Sequence, residues 1–176
     1  MTESKLPKPN PQIIWNLNSP NPDLVIETIG QLRDSGNISY IPALIELLHS
    51  SKTPEIKVKI TNLLADIKHG EIIPYLLDAI QNEKYLNERK QLVSVCWENG
   101  LDFSSALPVF VDLLIGEELE LAFEAYSVII NMEGKISAEM LDSETGKMET
   151  ALLQADEQKK QLLAEIIGFL PKLSDE

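Results

Sequence analysis

The amino-acid sequence predicts an all-α protein, an α-solenoid of about five antiparallel helix pairs. A short pattern recurs along the chain, in which a glycine ends one helical segment and a proline opens the next. The three instances are Gly36 with Pro42, Gly70 with Pro74 and Gly100 with Pro108. The glycines at positions 36, 70, 100 and 134 are separated by 34, 30 and 34 residues. A period of this length is typical of stacked helical hairpins, each of which buries its apolar face against its neighbours.

The predicted helix pairs occupy residues 11–35, 39–69, 71–99, 103–133 and 137–171. The second pair has the clearest signals. Ser39 is expected to cap a helix that has Pro42 in its first turn, and Pro54 to open the partner helix. Apolar residues of that partner helix recur at the spacing of one helix face: Ile56, Ile60, Leu63, Leu64 and Ile67. Gly70 is expected to end it in the left-handed conformation.

Overlaying the pairs shows the repeat directly. The first helices of three pairs begin with related phrases: IPALIELL at Ile41, IPYLLDAI at Ile73 and LPVFVDLL at Leu107. In the fourth pair, four apolar residues take the buried places of the second helix: Leu119, Phe123, Tyr126 and Ile130. The fifth pair is the least regular, because Gly146 and the polar run 142–147 are expected to interrupt its first helix.

Residues 1–22 form a proline-rich segment ahead of the array, which is expected to span 23–173 and to leave a short tail at 174–176. The segment is a poor helix former apart from a turn or two after Pro11. Its apolar residues are Ile13, Ile14, Trp15 and Leu17. Because a terminal repeat needs its apolar face covered, we expect this segment to cap the stack; the alternative is a recognition peptide for another protein.

Three phrases point to a family. Ile41–Leu44 reads IPAL, Thr53–Lys57 reads TPEIK and Ile29–Leu32 reads IGQL. They resemble the bacterial HEAT-like repeats, the short kind also found in phycobilin lyases, and the resemblance covers nearly the whole chain after Pro22. It implies stacked antiparallel helix pairs whose second helices line a concave binding face. It implies no reaction, since function lies in sites and not in folds.

The charge is strongly acidic and unevenly distributed. Apolar residues make up 44% of the chain and the net charge is −13. Residues 1–90 carry 10 basic and 11 acidic side chains, whereas residues 91–176 carry 5 and 17, and no basic residue lies between Lys90 and Lys135. Such a surface disfavours nucleic acids and anionic membranes. The acidic half serves either as a docking face or only for solubility.

Neither a signal peptide nor a membrane span is expected from Met1–Pro22. A single cysteine, Cys96, excludes an internal disulfide framework. The expected location is therefore the cytoplasm, and the expected state is a monomer or a weak homo-oligomer.

Catalytic, nucleotide-binding and metal-binding motifs are absent from the sequence, so we expect no catalytic residue, cofactor or metal. His49 and His69 are expected at helix C-termini, where a partly charged imidazole is favoured by the helix dipole. Cys96 occupies a core position, and Trp97 serves either packing or contact. The acidic cluster Glu117, Glu118, Glu120 and Glu124 offers carboxylates to a cation, but acids at the start of a helix have the dipole as a simpler explanation.

These observations predict a non-enzymatic protein-protein interaction module, or assembly adaptor, that binds a protein or peptide on the concave face of the second helices. The position after the buried Ile60 is occupied in successive helix pairs by Thr61, Lys90, Glu124 and Lys160. The alternating charge of these side chains suits contact with a protein chain better than with a polyanion. The predicted contact residues are Thr61, Lys68, Lys90, Glu98, Glu120, Glu124 and Lys160. The alternative is an enzyme, or enzyme subunit, resembling the HEAT-like phycobilin lyases.

Overall fold

The computed structural model describes residues 8–35 and 38–175, and no strand occurs among them. The all-α prediction is confirmed. The chain divides into two compact units, residues 1–99 and 100–176, here called the N-terminal and C-terminal units. The α-helices of the described residues all fall within the five predicted ranges.

The N-terminal unit contains three helix pairs. They are α1 Pro11–Leu17 with α2 Pro22–Ser35, α3 Ile41–Ser50 with α4 Pro54–Asp66, and α5 Ile73–Gln81 with α6 Arg89–Glu98. The two helices of each pair pack together, α2 contacts α4, α4 contacts α6, and α3 contacts both α1 and α5. First helices therefore stack on first helices and second helices on second helices. Three short 3-10 helices complete the unit: Ile38–Tyr40, Gly70–Ile72 and Glu83–Glu88.

The C-terminal unit repeats this arrangement with two pairs. They are α7 Leu107–Gly116 with α8 Leu119–Ile130, and α9 Ala138–Leu152 with α10 Glu157–Phe169. Within the unit, α7 packs on α8 and α9 on α10, while α9 also contacts α7 and α10 contacts α8. The unit ends in a 3-10 helix, Leu170–Leu173, after which Ser174 forms an isolated parallel bridge with Ile136.

Prolines open helices as the sequence predicts. Pro42, Pro54, Pro74 and Pro108 each lie within the first two positions of a helix, where the missing N–H leaves no hydrogen bond unmade. The prediction that Ser39 caps α3 is wrong, because Ser39 lies inside a 3-10 helix and Tyr40 holds the cap position.

Glycine behaves less uniformly than the repeat suggests. Gly100 has φ 65° and is the one glycine with positive φ in the described part of the chain. The left-handed stop predicted at Gly70 is wrong, since α4 already ends at Asp66 and Gly70 begins a 3-10 helix. Gly36 lies outside the described residues.

The interruption expected in the fifth pair does not occur. Helix α9 runs from Ala138 to Leu152 through Gly146 and the polar run 142–147. It buries Leu141, Glu144 and Met148 at steps of three and four residues. A continuous buried face outweighs the roughly 1 kcal/mol that a glycine costs inside a helix.

Helix α1 covers its neighbours α2 and α3 only in part. Leu17 is buried and Ile13 and Ile14 are half-buried, and α1 contacts α2 and α3. The backbone N–H of Asn10 donates to the Tyr40 hydroxyl at 2.9 Å. Trp15, expected to join the covering patch, is 63% exposed.

Candidate protein-binding surface

An apolar stripe lies on the exposed face of α8. It consists of Leu119, Phe123, Tyr126 and Ile130, here called the α8 stripe. Steps of four, three and four residues place these side chains on one face of the helix. Phe123 is 54% exposed and Ile130 38%, while Leu119 and Tyr126 are half-buried.

This finding corrects the sequence prediction that the same four residues are buried. The buried residues of α8 are instead Ala122, Ala125, Ser127, Val128 and Ile129. Small alanine side chains allow a close approach between α8 and its neighbours. The helix therefore packs through a face that does not contain its largest apolar side chains. Assigning the core to the bulkiest apolar residues therefore selected the wrong face.

Two aromatic rings give the stripe a fixed geometry. Phe123 stacks on Tyr126 with centroids 5.8 Å apart and ring planes inclined by 25°. The Tyr126 hydroxyl donates to Oε2 of Glu165 at 2.6 Å, so α10 borders the stripe. This hydrogen bond to a carboxylate, aided by partial burial, raises the pKa of Tyr126. The phenol therefore remains a neutral donor at physiological pH.

Acidic side chains lie beside the stripe. Glu120 is exposed in the first turn of α8 and Glu124 is half-buried one turn later. Glu118 is the N-cap residue and Glu117 the C-cap residue of α7, so the prediction that both lie in the first turn of α8 is wrong. Among the described residues, no group of three or more His, Cys, Asp or Glu side chains is arranged to hold a metal ion.

The predicted contact residues of the C-terminal unit lie on α8 and α10, which pack together. Glu120 and Glu124 are on α8 itself, and Lys160 is on α10, where its Nζ lies 3.0 Å from Oε1 of Glu157. These three residues stay predictions as contacts, because no partner defines the interface.

The predicted contact residues of the N-terminal unit have structural partners within that unit. The Thr61 hydroxyl donates to the Val58 carbonyl at 2.9 Å, as is common for threonine inside a helix. Lys68 Nζ donates to the Asn99 carbonyl at 2.7 Å and thereby satisfies an acceptor after α6. Glu98 accepts from the Ser94 hydroxyl at 2.5 Å. Lys90 is exposed on α6.

A buried carboxylate was not identified from the sequence. Glu88 ends a 3-10 helix and is buried; its Oε1 accepts from Lys57 Nζ at 3.1 Å. Its Oε2 lies 2.9 Å from Nδ1 of His49, whose ring meets Tyr85 edge-on with centroids 5.5 Å apart. His49 does lie in the last turn of α3 as predicted. His69 does not end a helix; it precedes the 3-10 helix that begins at Gly70.

Cys96 and Trp97, adjacent on α6, have different environments. Cys96 is buried, as predicted, and desolvation raises the pKa of its thiol far above the ordinary value. The thiol is therefore protonated and unreactive. Trp97 is 38% exposed, which is compatible with either of its two predicted roles.

A shallow groove of about 610 Å³ lies between α7 and α9. Lys147 borders it, with Nζ 3.2 Å from Oδ1 of Asp112 and 3.0 Å from Oε2 of Glu144. The close approach of Glu144 and the hydrogen bond to Asp112 raise the pKa of Lys147. This lysine is thus a fixed cation that joins α7 to α9.

No protein-family model matches the chain, and a search of curated proteins finds no similar sequence. Among the described residues, no helix is both long and apolar enough to cross a membrane.

Proposed function

We propose that this protein is a non-enzymatic interaction module, an assembly adaptor whose helix pairs stack as an α-solenoid of the HEAT-like kind. It binds a protein or peptide on the face formed by its second helices. The proposed contact surface in the C-terminal unit is the α8 stripe, with Glu120, Glu124 and Lys160 around it.

The observation that carries the proposal is the exposure of Phe123 at the centre of this stripe. Fully burying such a side chain contributes about 1.5–3 kcal/mol, so leaving more than half of it in water forgoes a substantial part of that stabilisation. Aromatic side chains that are held rigidly on a surface are frequent anchors of protein interfaces. The stacking of Phe123 on Tyr126 holds both rings in place before a partner arrives.

The arrangement of the surface also supports binding over catalysis. Its polar groups are carboxylates, the ammonium of Lys160 and one phenol, and the hydrogen bond to Glu165 keeps the phenol neutral. The thiol of Cys96 is buried. An apolar centre with a polar rim is the usual composition of a protein interface.

A capture experiment tests the proposal. The full chain is immobilised and exposed to native cell extract, and the retained proteins are quantified for the wild type and for the double variant Phe123→Ser/Ile130→Ser. Because both side chains are exposed, we expect the fold to persist by circular dichroism. We expect at least one retained protein to be lost in the variant.

The matched control is Leu153→Ser, which alters an apolar side chain that is 81% exposed at the end of α9, outside the stripe. It is expected to retain the same proteins as the wild type. An identical set of retained proteins for the wild type and the stripe variant would contradict the proposed function.

A further inference from the structure

A small cavity lies on the first helices of the N-terminal unit, where α3, α5 and the 3-10 helix Glu83–Glu88 contact one another. Its volume is about 200 Å³, and its apolar lining includes Ile45 and Ala79, which are both buried. Pockets for drug-sized ligands have about 300–1,000 Å³. This cavity therefore has room for a single chemical group and not for a large ligand.

Two tyrosines and one carboxylate give the lining its chemistry. Tyr75 and Asp78 lie three residues apart on α5 and so share a face of that helix, and Tyr85 belongs to the 3-10 helix. Both tyrosines are half-buried and Asp78 is exposed. The face of an aromatic ring attracts a cation, as a carboxylate does. The group that suits this lining is therefore a cation with an apolar body.

Tyr85 is held in place by its neighbours. Its hydroxyl donates to Oε2 of Glu46 at 3.0 Å, and its ring meets the His49 ring edge-on. Lys84 Nζ lies 5.3 Å from the centroid of the Tyr85 ring and donates to the same Glu46 oxygen at 2.5 Å. The charge of Lys84 is thus offset by Glu46, and the ring is fixed before a ligand arrives.

Asp78 differs from the carboxylates around it. Glu46 is paired with Lys84, and Glu88 with Lys57. Within the described ranges, by contrast, neither the Asp78 carboxylate nor the Tyr75 hydroxyl has a hydrogen bond or ion pair. The negative charge of Asp78 is therefore available to a ligand in the cavity.

This charge decides which class of ligand fits. An anion would be repelled by Asp78, and a neutral apolar group would remove water from the carboxylate without replacing it, which costs free energy. A guanidinium would bring a planar fork of N–H donors that one carboxylate cannot satisfy. An alkylammonium whose nitrogen carries methyl groups balances the charge and leaves few donors or none to satisfy.

We propose that this cavity binds a methylated ammonium group, with its methyl groups against the rings of Tyr75 and Tyr85 and its charge facing Asp78. Aromatic side chains are the usual recognition elements for such cations. The group is carried either by a small molecule such as choline or by a methylated lysine of another protein. The site is independent of the proposed function, which concerns the second helices, whereas this cavity lies on first helices.

Two matched pairs of probes test the full chain. The first pair is choline and 3,3-dimethylbutan-1-ol, in which carbon replaces the nitrogen, so that the shape is kept and the charge is lost. The second pair is a short peptide that contains either trimethyllysine or its analogue with carbon in place of the nitrogen. Binding is followed by NMR of the isotope-labelled protein, which measures weak affinities and identifies the residues whose signals shift.

We expect saturable shifts at Tyr75, Asp78 and Tyr85 with a charged probe. The neutral member of the same pair should bind at least about tenfold more weakly, which corresponds to about 1.4 kcal/mol. Choline binding at least as tightly as the peptide supports a small-molecule source, and tighter binding of the peptide supports a protein source. Equal binding of charged and neutral members, or no saturable binding of either charged probe, would overturn the proposal.

Charge variants locate the site. Asp78→Asn is expected to weaken binding of the charged probe at least about threefold, because it removes the carboxylate from the lining. The matched control is Glu83→Gln, which removes the same charge from an exposed position of the neighbouring 3-10 helix, outside the lining. It should bind as the wild type does. An equal loss of affinity in both variants would show general attraction by negative charge and would overturn the local assignment.

Ring variants test the aromatic contact. Tyr75→Phe keeps the ring face and should retain binding of the charged probe, whereas Tyr75→Leu should weaken it at least about threefold. Equal affinities of the two variants would show that the ring has no part in recognition and would contradict the proposal. If Tyr75→Leu fails to fold, the comparison of charged with neutral probes on the wild type still decides the outcome.

Discussion

Lys57 Nζ donates to Oε1 of Glu88 at 3.1 Å, across 31 residues of sequence, and so ties the start of α4 to the end of a 3-10 helix in the following pair. The Glu88 side chain is buried, and His49 lies against its second oxygen. A buried carboxylate is tolerated only where such partners replace its water.

Glu88→Gln is therefore expected to lower the free energy of unfolding by about 1–3 kcal/mol, because the amide gives up charge-assisted hydrogen bonds. Urea denaturation measures the change. Glu83→Gln, at an exposed position of the same 3-10 helix, is the control and is expected to have little effect. Equal stability of the wild type and Glu88→Gln would show that the buried pairing contributes nothing.

Two glycines of the C-terminal unit are expected to respond oppositely to alanine. A Cβ at Gly134 would collide with the Asp102 carboxylate and lie 3.0 Å from the Ser104 hydroxyl oxygen, whereas a Cβ at Gly146 meets nothing within 4 Å. Gly134→Ala should destabilise by about 1–3 kcal/mol through overpacking. Gly146→Ala, inside α9, should stabilise by about 0.5–1 kcal/mol. Thermal unfolding of both variants tests the pair, and a shift of the same sign in both would contradict it.

Asp102 provides a pH-dependent test. Partial burial tends to raise the pKa of its carboxyl. The hydrogen bonds donated by the Ser104 hydroxyl and by the backbone N–H groups of Glu133 and Ser104 outweigh this effect, so the pKa lies below its ordinary value. A depressed folded-state pKa stabilises the fold above the unfolded value, about 3.9, and this contribution is lost as pH falls through the folded value.

We expect Asp102→Asn to be less stable than the wild type at pH 7 by about 1 kcal/mol. Below about pH 4 the difference should shrink, because the wild-type carboxyl also becomes neutral. Denaturation at a series of pH values measures it. A difference that stays constant from neutral to acidic pH would show that the charge of Asp102 has no part in holding the loop at Gly134.

The helix pairs were predictable because their signals are local. Pro42 and Pro54 mark helix starts by geometry that belongs to proline alone, and the resulting phrases repeat. The α8 stripe was misassigned because the choice between two faces of α8 depends on what packs against it, and Ala122 and Ala125 look unremarkable in sequence. Glu88 was missed for the same reason, since its partners are 31 and 39 residues away.

Deletion of the amino-terminal segment distinguishes a structural role of this segment from a role in binding a partner. Leu17 is buried, and burial of such a side chain contributes about 1.5–3 kcal/mol. Deleting residues 1–18 should therefore lower the melting temperature and promote self-association. Trp15→Ser is the control and should leave the melting temperature unchanged, because Trp15 is largely exposed. A truncated protein that is monomeric and melts with the wild type would indicate a recognition arm instead of a cap.

Side-chain footprinting of the complex with the captured partner tests the central claim most directly. Reactive labelling followed by mass spectrometry reports the solvent exposure of individual side chains with and without the partner. The account predicts strong protection of Phe123 and Ile130 on binding, and unchanged labelling of Leu153. Full binding with Phe123 and Ile130 labelled as in the free protein would contradict the assignment of the α8 stripe as the binding surface.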